Sequence, residues 1–216
     1  MKLLLYSTLI SAFFFAFASC TGGSADEKKN QAAEKPKNVF EAFGKIAGAM
    51  AGGATGVDEA VKVRRAKGDT LAMHYTELQK FLPTVLDGYT AKEPDGSTVN
   101  MMGASYSNAE IRFKNGNDDV KITIIDYNQA YGLYATATMA WTMGMSVDSP
   151  TEKSGGVKFD NGIAGWETYH KKNKRAEITL GVGSRFWVQI EADNQENTDY
   201  IKSVAKSMDL DKLAGM

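Results

Sequence analysis

The chain has 216 residues, 43% of them hydrophobic, and its 25 basic residues almost balance its 26 acidic residues. Because the net charge is near zero, the chain lacks the basic excess with which nucleic-acid-binding proteins neutralise phosphates, and we expect no nucleic-acid partner. Its single cysteine excludes an internal disulfide, so we expect a core that is stable through packing alone.

The first 20 residues have the pattern of an export signal. Lys2 precedes an apolar run from Leu3 to Ala18, and Ser19 and Cys20 follow it. This run is shorter than the roughly 20 apolar residues of a membrane-spanning helix. A positive start with a short apolar core is typical of a secretory signal. An ordinary cleaved signal and an uncleaved anchor are the two alternatives to the interpretation that follows.

The end of this signal resembles the lipobox of bacterial lipoproteins. The resemblance rests on Phe17-Ala18-Ser19-Cys20. It implies a lipoprotein signal peptide over residues 1–19, cleavage before Cys20 and acylation of that cysteine, palmitate included. One acyl chain binds a membrane only marginally, so two or three chains on Cys20 would anchor the protein stably. We therefore predict a lipid-anchored protein of the bacterial cell envelope, with the outer membrane favoured over the inner one.

Residues 20–37 form a polar segment without aromatic or branched aliphatic side chains. Such a segment buries too little apolar area to offset its ordering entropy, so we predict a flexible tether. Within it, Asp26-Glu27 resembles the acidic tags that send some Bacteroidetes lipoproteins to the cell surface. Two acidic residues also fit a plain charged linker, so surface exposure stays an alternative.

Residues 38–67 are predicted as a Gly/Ala-rich helix and a charged connector. Glycine recurs at every fourth position, along one side of a helix, at Gly44, Gly48, Gly52 and Gly56. Small residues at this spacing let a second helix approach closely, whereas each interior glycine costs a helix in water roughly 1 kcal/mol relative to alanine. The segment is thus either a self-association or membrane-surface helix or a half-ordered linker.

The remaining residues, 68–216, are predicted as a single α+β globular domain. A short helix ends at Pro83, and a turn is predicted at Pro94-Asp95-Gly96. Apolar and polar residues then alternate with the period of a strand that is buried on one face. Such segments lie at 107–114, 120–125, 162–171, 174–183 and 185–191. Short turns between them favour an antiparallel meander.

Two further helices are predicted at 129–145 and at about 196–208, and their apolar stripes favour packing on the sheet. The predicted fold class is therefore α+β, an antiparallel meander sheet with helices packed on one face. The signal peptide, the flexible tether and the Gly-rich helix precede it. This order of strands and helices resembles that of Mog1/PsbP-like folds.

Short segments of the domain also resemble a family of exported bacterial proteins without an assigned activity. The segments are LQKFLP at 78–83, GY at 88–89, ASYSNA at 104–109, ITIIDYNQAYGL at 122–133, SRFWVQIEA at 184–192 and DLDKL at 209–213. The resemblance implies a shared fold in the cell envelope and supplies no catalytic residues.

The sequence contains no pattern typical of catalysis or metal binding. His74 and His170 have no second histidine or cysteine at ligand spacing, and no G-x-S-x-G motif occurs. Met139 and Met143 fit core packing better than ligation of Cu(I). Asp126 ends a strand and is predicted as a cap or turn residue, with a ligand role as the alternative. We predict no catalytic residue, metal or cofactor, and the question of an enzyme stays open.

The polar face of the predicted sheet is the candidate binding surface. It carries Arg112, Tyr127, Arg185 and Trp187, and a large aromatic side chain beside arginine is typical of recognition surfaces. Coverage of Trp187 by a loop or by the N-terminal segment is the alternative. The predicted function is non-enzymatic binding of an envelope protein or a small ligand by a membrane-anchored domain. The alternative is a self-associating or membrane-interacting protein that acts through the glycine-spaced helix 38–56.

Overall fold

The computed structural model describes residues 55–101, 104–128, 141 and 146–216. The predicted signal peptide, its Cys20 and the tether lie outside the described residues. So do Gly44, Gly48 and Gly52, and so does the predicted helix 129–145 apart from Trp141. Within the described ranges, no helix is long and apolar enough to cross a membrane.

Four α-helices have both their first and their last residue within the described ranges. They are α1 (Thr55–Ala66), α2 (Tyr75–Leu78), α3 (Asp199–Ser207) and α4 (Leu210–Ala214). The charged connector predicted after Gly56 is therefore helical up to Ala66. Half of the 12 residues of α1 are Ala, Lys, Arg or Glu, which favour helix, and none is proline.

The short helix predicted before Pro83 is confirmed as α2 and a following 3-10 turn, Gln79–Phe81. His74 caps its start, since the side chain accepts a hydrogen bond from the backbone N–H of Thr76. Leu78 and Leu82 are buried against the core, and this packing holds a helix that is too short to be stable alone.

Nine strands form one sheet in the described part of the chain. They are β1 (Thr90–Ala91), β2 (Asp95–Met101), β3 (Ala104–Asn115), β4 (Asp118–Asp126), β5 (Ser146–Asp148), β6 (Glu152–Lys158), β7 (Ala164–His170), β8 (Arg175–Val182) and β9 (Phe186–Ala192). The alternating segments of the sequence are confirmed as β3, β4, β7, β8 and β9. Strands β5 and β6 carry no clean alternation, so the sequence did not predict them.

The turn predicted at Pro94-Asp95-Gly96 is wrong, because Asp95 and Gly96 begin β2. Gly96 pairs with Ala109 of β3. A side-chain carbon at Gly96 would lie only 2.7 Å from the backbone oxygen of Asn108. Glycine thus serves here to let two strands approach closely rather than to reverse the chain.

Every strand pair is antiparallel, and the order across the sheet is β1-β3-β4-β9-β8-β7-β6-β5, with β2 also beside β3. An antiparallel sheet with a few helices is confirmed. A simple meander is wrong at one junction, because β4 pairs with β9 and not with β5. The strands with the best apolar alternation, β4, β8 and β9, occupy the centre, while the short polar β5 lies at the edge, where polar strands are better tolerated.

The inward face of the sheet forms the hydrophobic core. One row across four strands consists of isoleucines, Ile111, Ile122, Ile190 and Ile178, and none is more than 4% exposed. Helices α3 and α4 close this face with the buried residues Ile201, Val204, Leu210 and Leu213. Each such side chain contributes about 1.5–3 kcal/mol through burial.

The opposite face, here called the outward face, is mostly polar but is not bare. Trp141 is helical, and its ring centroid lies 5.5 Å from that of Trp187. Its backbone oxygen lies 3.4 Å from the position that a side-chain carbon at Gly156 would take. Trp187 and Gly156 both belong to the outward face, so the helical residue Trp141 lies on that face, whereas α3 and α4 lie on the inward face. The prediction that helices pack on one face does not hold for Trp141, and the rest of the predicted helix lies outside the described residues.

Candidate functional site

The structure does not bring the four residues of the predicted binding surface together. Arg112, Tyr127 and Trp187 do belong to the outward face. Trp187 shares a row with Asn108 of β3. Arg112 lies four residues further along β3, roughly 14 Å from Asn108. The surface is therefore divided between two ends of the sheet.

The end of the outward face that contains Arg112 is a network of ion pairs. Arg112 donates to Glu110 at 2.8 Å. Glu191 accepts a hydrogen bond from Arg175 at 2.7 Å and lies 3.0 Å from the ammonium group of Lys121. Arg112 is 47% exposed, and ion pairs at such exposed side chains contribute little individually. Because the charges satisfy one another, this region offers no excess charge to a partner.

The other end of the outward face is aromatic. Trp187 is half-buried, and its ring lies 5.5 Å from that of Trp141. The residue that contacts it is helical, whereas the alternative considered from the sequence was a loop or the N-terminal segment. The ring of Tyr127 lies 5.8 Å from that of Tyr106. Burial, and to a lesser extent the charge of Tyr106, raises the pKa of Tyr127 to about 12.

Arg185 is not on the outward face, and its placement corrects the prediction. Its side chain is 5% exposed and donates two hydrogen bonds to Asp126, at 3.0 Å from Nε and 2.8 Å from Nη2. The backbone explains the difference. Gly183 and Ser184 have φ angles of +61° and +52°, so the chain reverses there and strand alternation begins only at Phe186.

Arg185 also links the sheet to the segment that follows α1. Its Nη1 donates to Asp69 at 2.8 Å, and Asn128 donates to the same carboxylate at 2.9 Å. Asp126 accepts from the backbone N–H groups of Met73 and Asn128, at 2.7 and 2.8 Å. The predicted turn role of Asp126 is thus confirmed by its bond to Asn128. Its larger role, the buried ion pair, was not predicted.

A polar cleft opens between the edge of the sheet and the start of α3. Its volume is about 580 Å³. It is lined by Ser146, Lys153, Ser154, Gly155, Glu167, Tyr169, Lys171, Glu196, Asn197, Thr198, Asp199 and Lys202. Strands β5 to β7 supply one wall, and the loop before α3 with its first turn supplies the other. The cleft lies beside the inward core, on the side away from Trp141.

An acidic trio, defined as Glu167 of β7 with Asp199 and Lys202 of α3, lies where the strand wall meets the start of α3. Lys202 lies 3.2 Å from Glu167 and 3.1 Å from Asp199. Burial lowers the pKa of Lys202, but its hydrogen bonds to the two carboxylates outweigh burial and raise that pKa overall. Thr198 also donates a hydrogen bond to Glu167. Two carboxylates share one ammonium group, so the acidic trio carries one net negative charge.

The strand wall holds a basic trio, defined as Lys153, Lys171 and Asp148. Lys171 donates to Asp148 at 2.5 Å and to the backbone oxygen of Ser149 at 2.7 Å. Lys153 lies directly opposite Asp148 in the β5–β6 pair. The hydrogen bond from Lys171 holds the pKa of Asp148 below its usual range, and Lys153 lowers it further. Lys171 pairs with Asp148, and the two ammonium groups and one carboxylate of this trio sum to one net positive charge.

Sequence reasoning did not find the cleft. Lys171 begins the turn between β7 and β8, but its side chain pairs with Asp148 of the distant strand β5. Lys153 lies on a strand that was not predicted, and Glu167 and Lys202 are 35 residues apart in the sequence. Only the alternation around Glu167 and the helical pattern around Lys202 were detectable signals.

Comparisons with known proteins add no relative. No protein-family model matches the chain, and no curated protein and no solved structure is significantly similar to it. In the described part of the chain, no group of three or more histidine, cysteine, aspartate or glutamate side chains is arranged to hold a metal ion.

Proposed function

We propose that this protein is a lipid-anchored envelope protein whose folded domain binds a small polar ligand without transforming it. The observation that carries the proposal is the cleft beside α3. Its volume of about 580 Å³ falls within the roughly 300–1,000 Å³ typical of small-molecule sites. Its lining is charged and hydroxylated, which favours a ligand that is itself polar.

Binding is favoured over catalysis because the polar groups of the cleft hold one another. The hydroxyl of Thr198 is 8% exposed and donates to Glu167, and the hydroxyl of Tyr169 donates to the backbone oxygen of Gln195 at 3.0 Å. Glu167 is in turn paired with Lys202. A nucleophile next to an available base, the usual sign of covalent catalysis, is not formed by these lining residues.

The anchor is the second part of the proposal. The lipobox-like Phe17–Cys20 and the polar segment 20–37 support lipidation at Cys20 and a domain held away from the membrane on a tether. A glycine-rich segment would connect the tether to α1. In this arrangement the protein belongs to the bacterial envelope, with the membrane as a partner and the cleft open to solvent.

The binding part is tested by calorimetric screening of polar metabolites against the full chain in detergent. A ligand of the cleft should lose at least about tenfold in affinity for Glu167→Gln, since a charge-assisted hydrogen bond contributes on that scale. Glu93→Gln is the matched control, because Glu93 is exposed in the loop before β2. If every ligand that binds the chain binds both variants equally, the cleft is not the site.

The anchor is tested by mass spectrometry of the mature N-terminus purified from membranes. The proposal requires an acylated Cys20 as the first residue and release of the Cys20→Ala variant from the membrane fraction. A mature chain with an unmodified N-terminus would reject lipidation and leave the binding proposal to be judged by its own experiment.

A further inference from the structure

The two charged trios of the cleft differ in sign and face the same space. The basic trio leaves one net positive charge on the strand wall, and the acidic trio leaves one net negative charge near α3. The remaining acid of the lining, Glu196, is paired with Lys174 at 2.9 Å. The charges of the cleft therefore sum to zero, with the net positive charge at the basic trio and the net negative charge at the acidic trio.

The strand register brings Lys153 and Glu167 close together on one face of the sheet. Lys153 lies opposite Tyr169, and Gly155 lies opposite Glu167. Lys153 and Glu167 are thus diagonal neighbours on one face of an antiparallel pair, whose β-carbons lie roughly 7–8 Å apart. Gly155 contributes no side chain to the space beside Glu167, so the gap between the two charges is not filled from β6.

We infer that the cleft binds an α-amino acid group, with the ligand carboxylate on Lys153 and the ligand ammonium group on Oε1 of Glu167, whose Oε2 is held by Thr198 and Lys202. This inference rests on the proposed function and names its ligand class. An α-amino acid carries an ammonium group and a carboxylate on one carbon atom, so it can form charge-assisted hydrogen bonds of about 2.8 Å with both residues. A purely anionic or purely cationic ligand would satisfy one wall and leave the other without a partner.

The shape of the cleft supports the same class. Tyr169 and Lys171 lie next to Glu167 and Lys153 on the strand wall, and beyond them the cavity is far larger than an ammonium and a carboxylate require. The remaining volume would receive the ligand side chain.

The test is calorimetry of the full chain in detergent with the common free amino acids as probes. Each amino acid that binds is compared with its N-acetyl derivative and its carboxamide, which lack one of the two charges. We expect both derivatives to bind at least about tenfold more weakly than the free amino acid. Equal binding of the free and blocked forms would overturn the inference.

A pair of variants tests whether Lys153 contacts the carboxylate of the ligand. Lys153→Gln should weaken the free amino acid about tenfold and leave its carboxamide unchanged, because only the free carboxylate contacts Lys153. Lys158→Gln is the matched control, since Lys158 is an exposed lysine of the same strand on the outward face. An equal loss of affinity for the free amino acid and its carboxamide contradicts the placement of the ligand carboxylate on Lys153. An equal loss in Lys153→Gln and Lys158→Gln contradicts it as well.

The two levels of the proposal can fail separately. If another polar metabolite binds and is sensitive to Glu167→Gln while no amino acid binds, the ligand class is wrong and the binding function stands. If no small molecule binds the cleft in either experiment, both are rejected.

Discussion

Arg185 and Asp126 form a buried ion pair that joins the first and second halves of the sheet. The two side chains are 5% and 0% exposed, and Nη2 of Arg185 lies 2.8 Å from Oδ2 of Asp126. The guanidinium also lies 4.9 Å from the ring centroid of Phe186. The pair closes the junction at which β4 meets β9, so it stabilises the one contact that departs from a simple meander.

Breaking this pair should destabilise the domain strongly. Arg185→Met leaves the carboxylate of Asp126 buried without its cation, and such a change costs about 3–5 kcal/mol of unfolding free energy. Urea unfolding measures the loss. Arg112→Met, at an exposed arginine of the outward face, should cost less than about 1 kcal/mol. Similar losses for the two variants would show that the buried pair has no special role. Because Arg185→Met destabilises the domain, it is also unsuitable for testing ligand binding.

Asp69 should hold α1 and the segment after it to the sheet. Asp69→Asn removes the charge that Arg185 and Asn128 both contact. The expected loss is about 1 kcal/mol, because Asp69 is partly exposed. Hydrogen exchange should show faster exchange for the amides of α1 and unchanged exchange for those of β8. Asp160→Asn, in an exposed loop, is the control. Unchanged exchange in α1 would mean that other contacts hold the segment.

Gly165 should not tolerate a side chain. A carbon added there would lie 2.0 Å from the backbone oxygen of Thr179 and 2.8 Å from Leu180. Gly165→Ala should therefore lower the free energy of unfolding by about 1–3 kcal/mol, the usual cost of overpacking. At Gly215 the nearest atom would be 3.6 Å away, so Gly215→Ala should fold normally. Equal thermal stability of the two variants would contradict the close approach of β7 and β8.

Trp141 and Trp187 should stabilise the outward face as a pair. Aromatic pairs of this geometry contribute about 0.5–1.5 kcal/mol beyond burial, so a double-mutant cycle of Trp141→Ala and Trp187→Ala should show coupling of that size. A cycle of Trp141→Ala with Phe81→Ala, on the far side of the sheet, should be additive within about 0.5 kcal/mol. Additivity in the first cycle would place Trp141 away from Trp187.

Alkaline pH should destabilise the domain through Tyr127. Its pKa in the folded state is about 12 against an ordinary value of 10.0, so the folded state retains the phenol proton more strongly than the unfolded state. The stabilisation is present in full below pH 10 and is lost as the pH rises towards 12.

Tyr127→Phe tests this pH dependence because phenylalanine does not titrate. Unfolding by urea at several pH values should show a smaller decline for the variant than for the parent chain. Part of the decline should remain, because burial also raises the pKa of Tyr200 to about 12. Identical pH dependence of both proteins would show that Tyr127 titrates normally in the fold.

Much of the sheet follows from local pattern. The alternation of Ile122 and Ile124 with polar neighbours predicts β4 and its buried face, because consecutive side chains of a strand point to opposite sides. The same rule predicts the inward residues of β8 and β9. It fails for β6, where Lys153-Ser154-Gly155-Gly156 has no apolar residue, and the strand forms through pairing with β7.

The position of Arg185 shows where local pattern stops being informative. The sequence assigns it to the polar side of β9, one residue before the true start of that strand. Its actual direction depends on two consecutive residues with positive φ and on a carboxylate 59 residues earlier in the chain. Neither the turn geometry nor the distant partner is visible in the spacing of apolar residues.

By itself, the sequence determined the apolar run at residues 3–18, the balanced charge, the inward faces of five strands and the helix that ends before Pro83. These properties depend on neighbours within a few residues. The tertiary structure alone decided that β4 pairs with β9, that Arg185 is buried, and that Lys153, Glu167 and Lys202 line one cleft. Such choices depend on which distant segments pair to bury the most apolar surface, and the charged residues then take the partners that this pairing brings within reach.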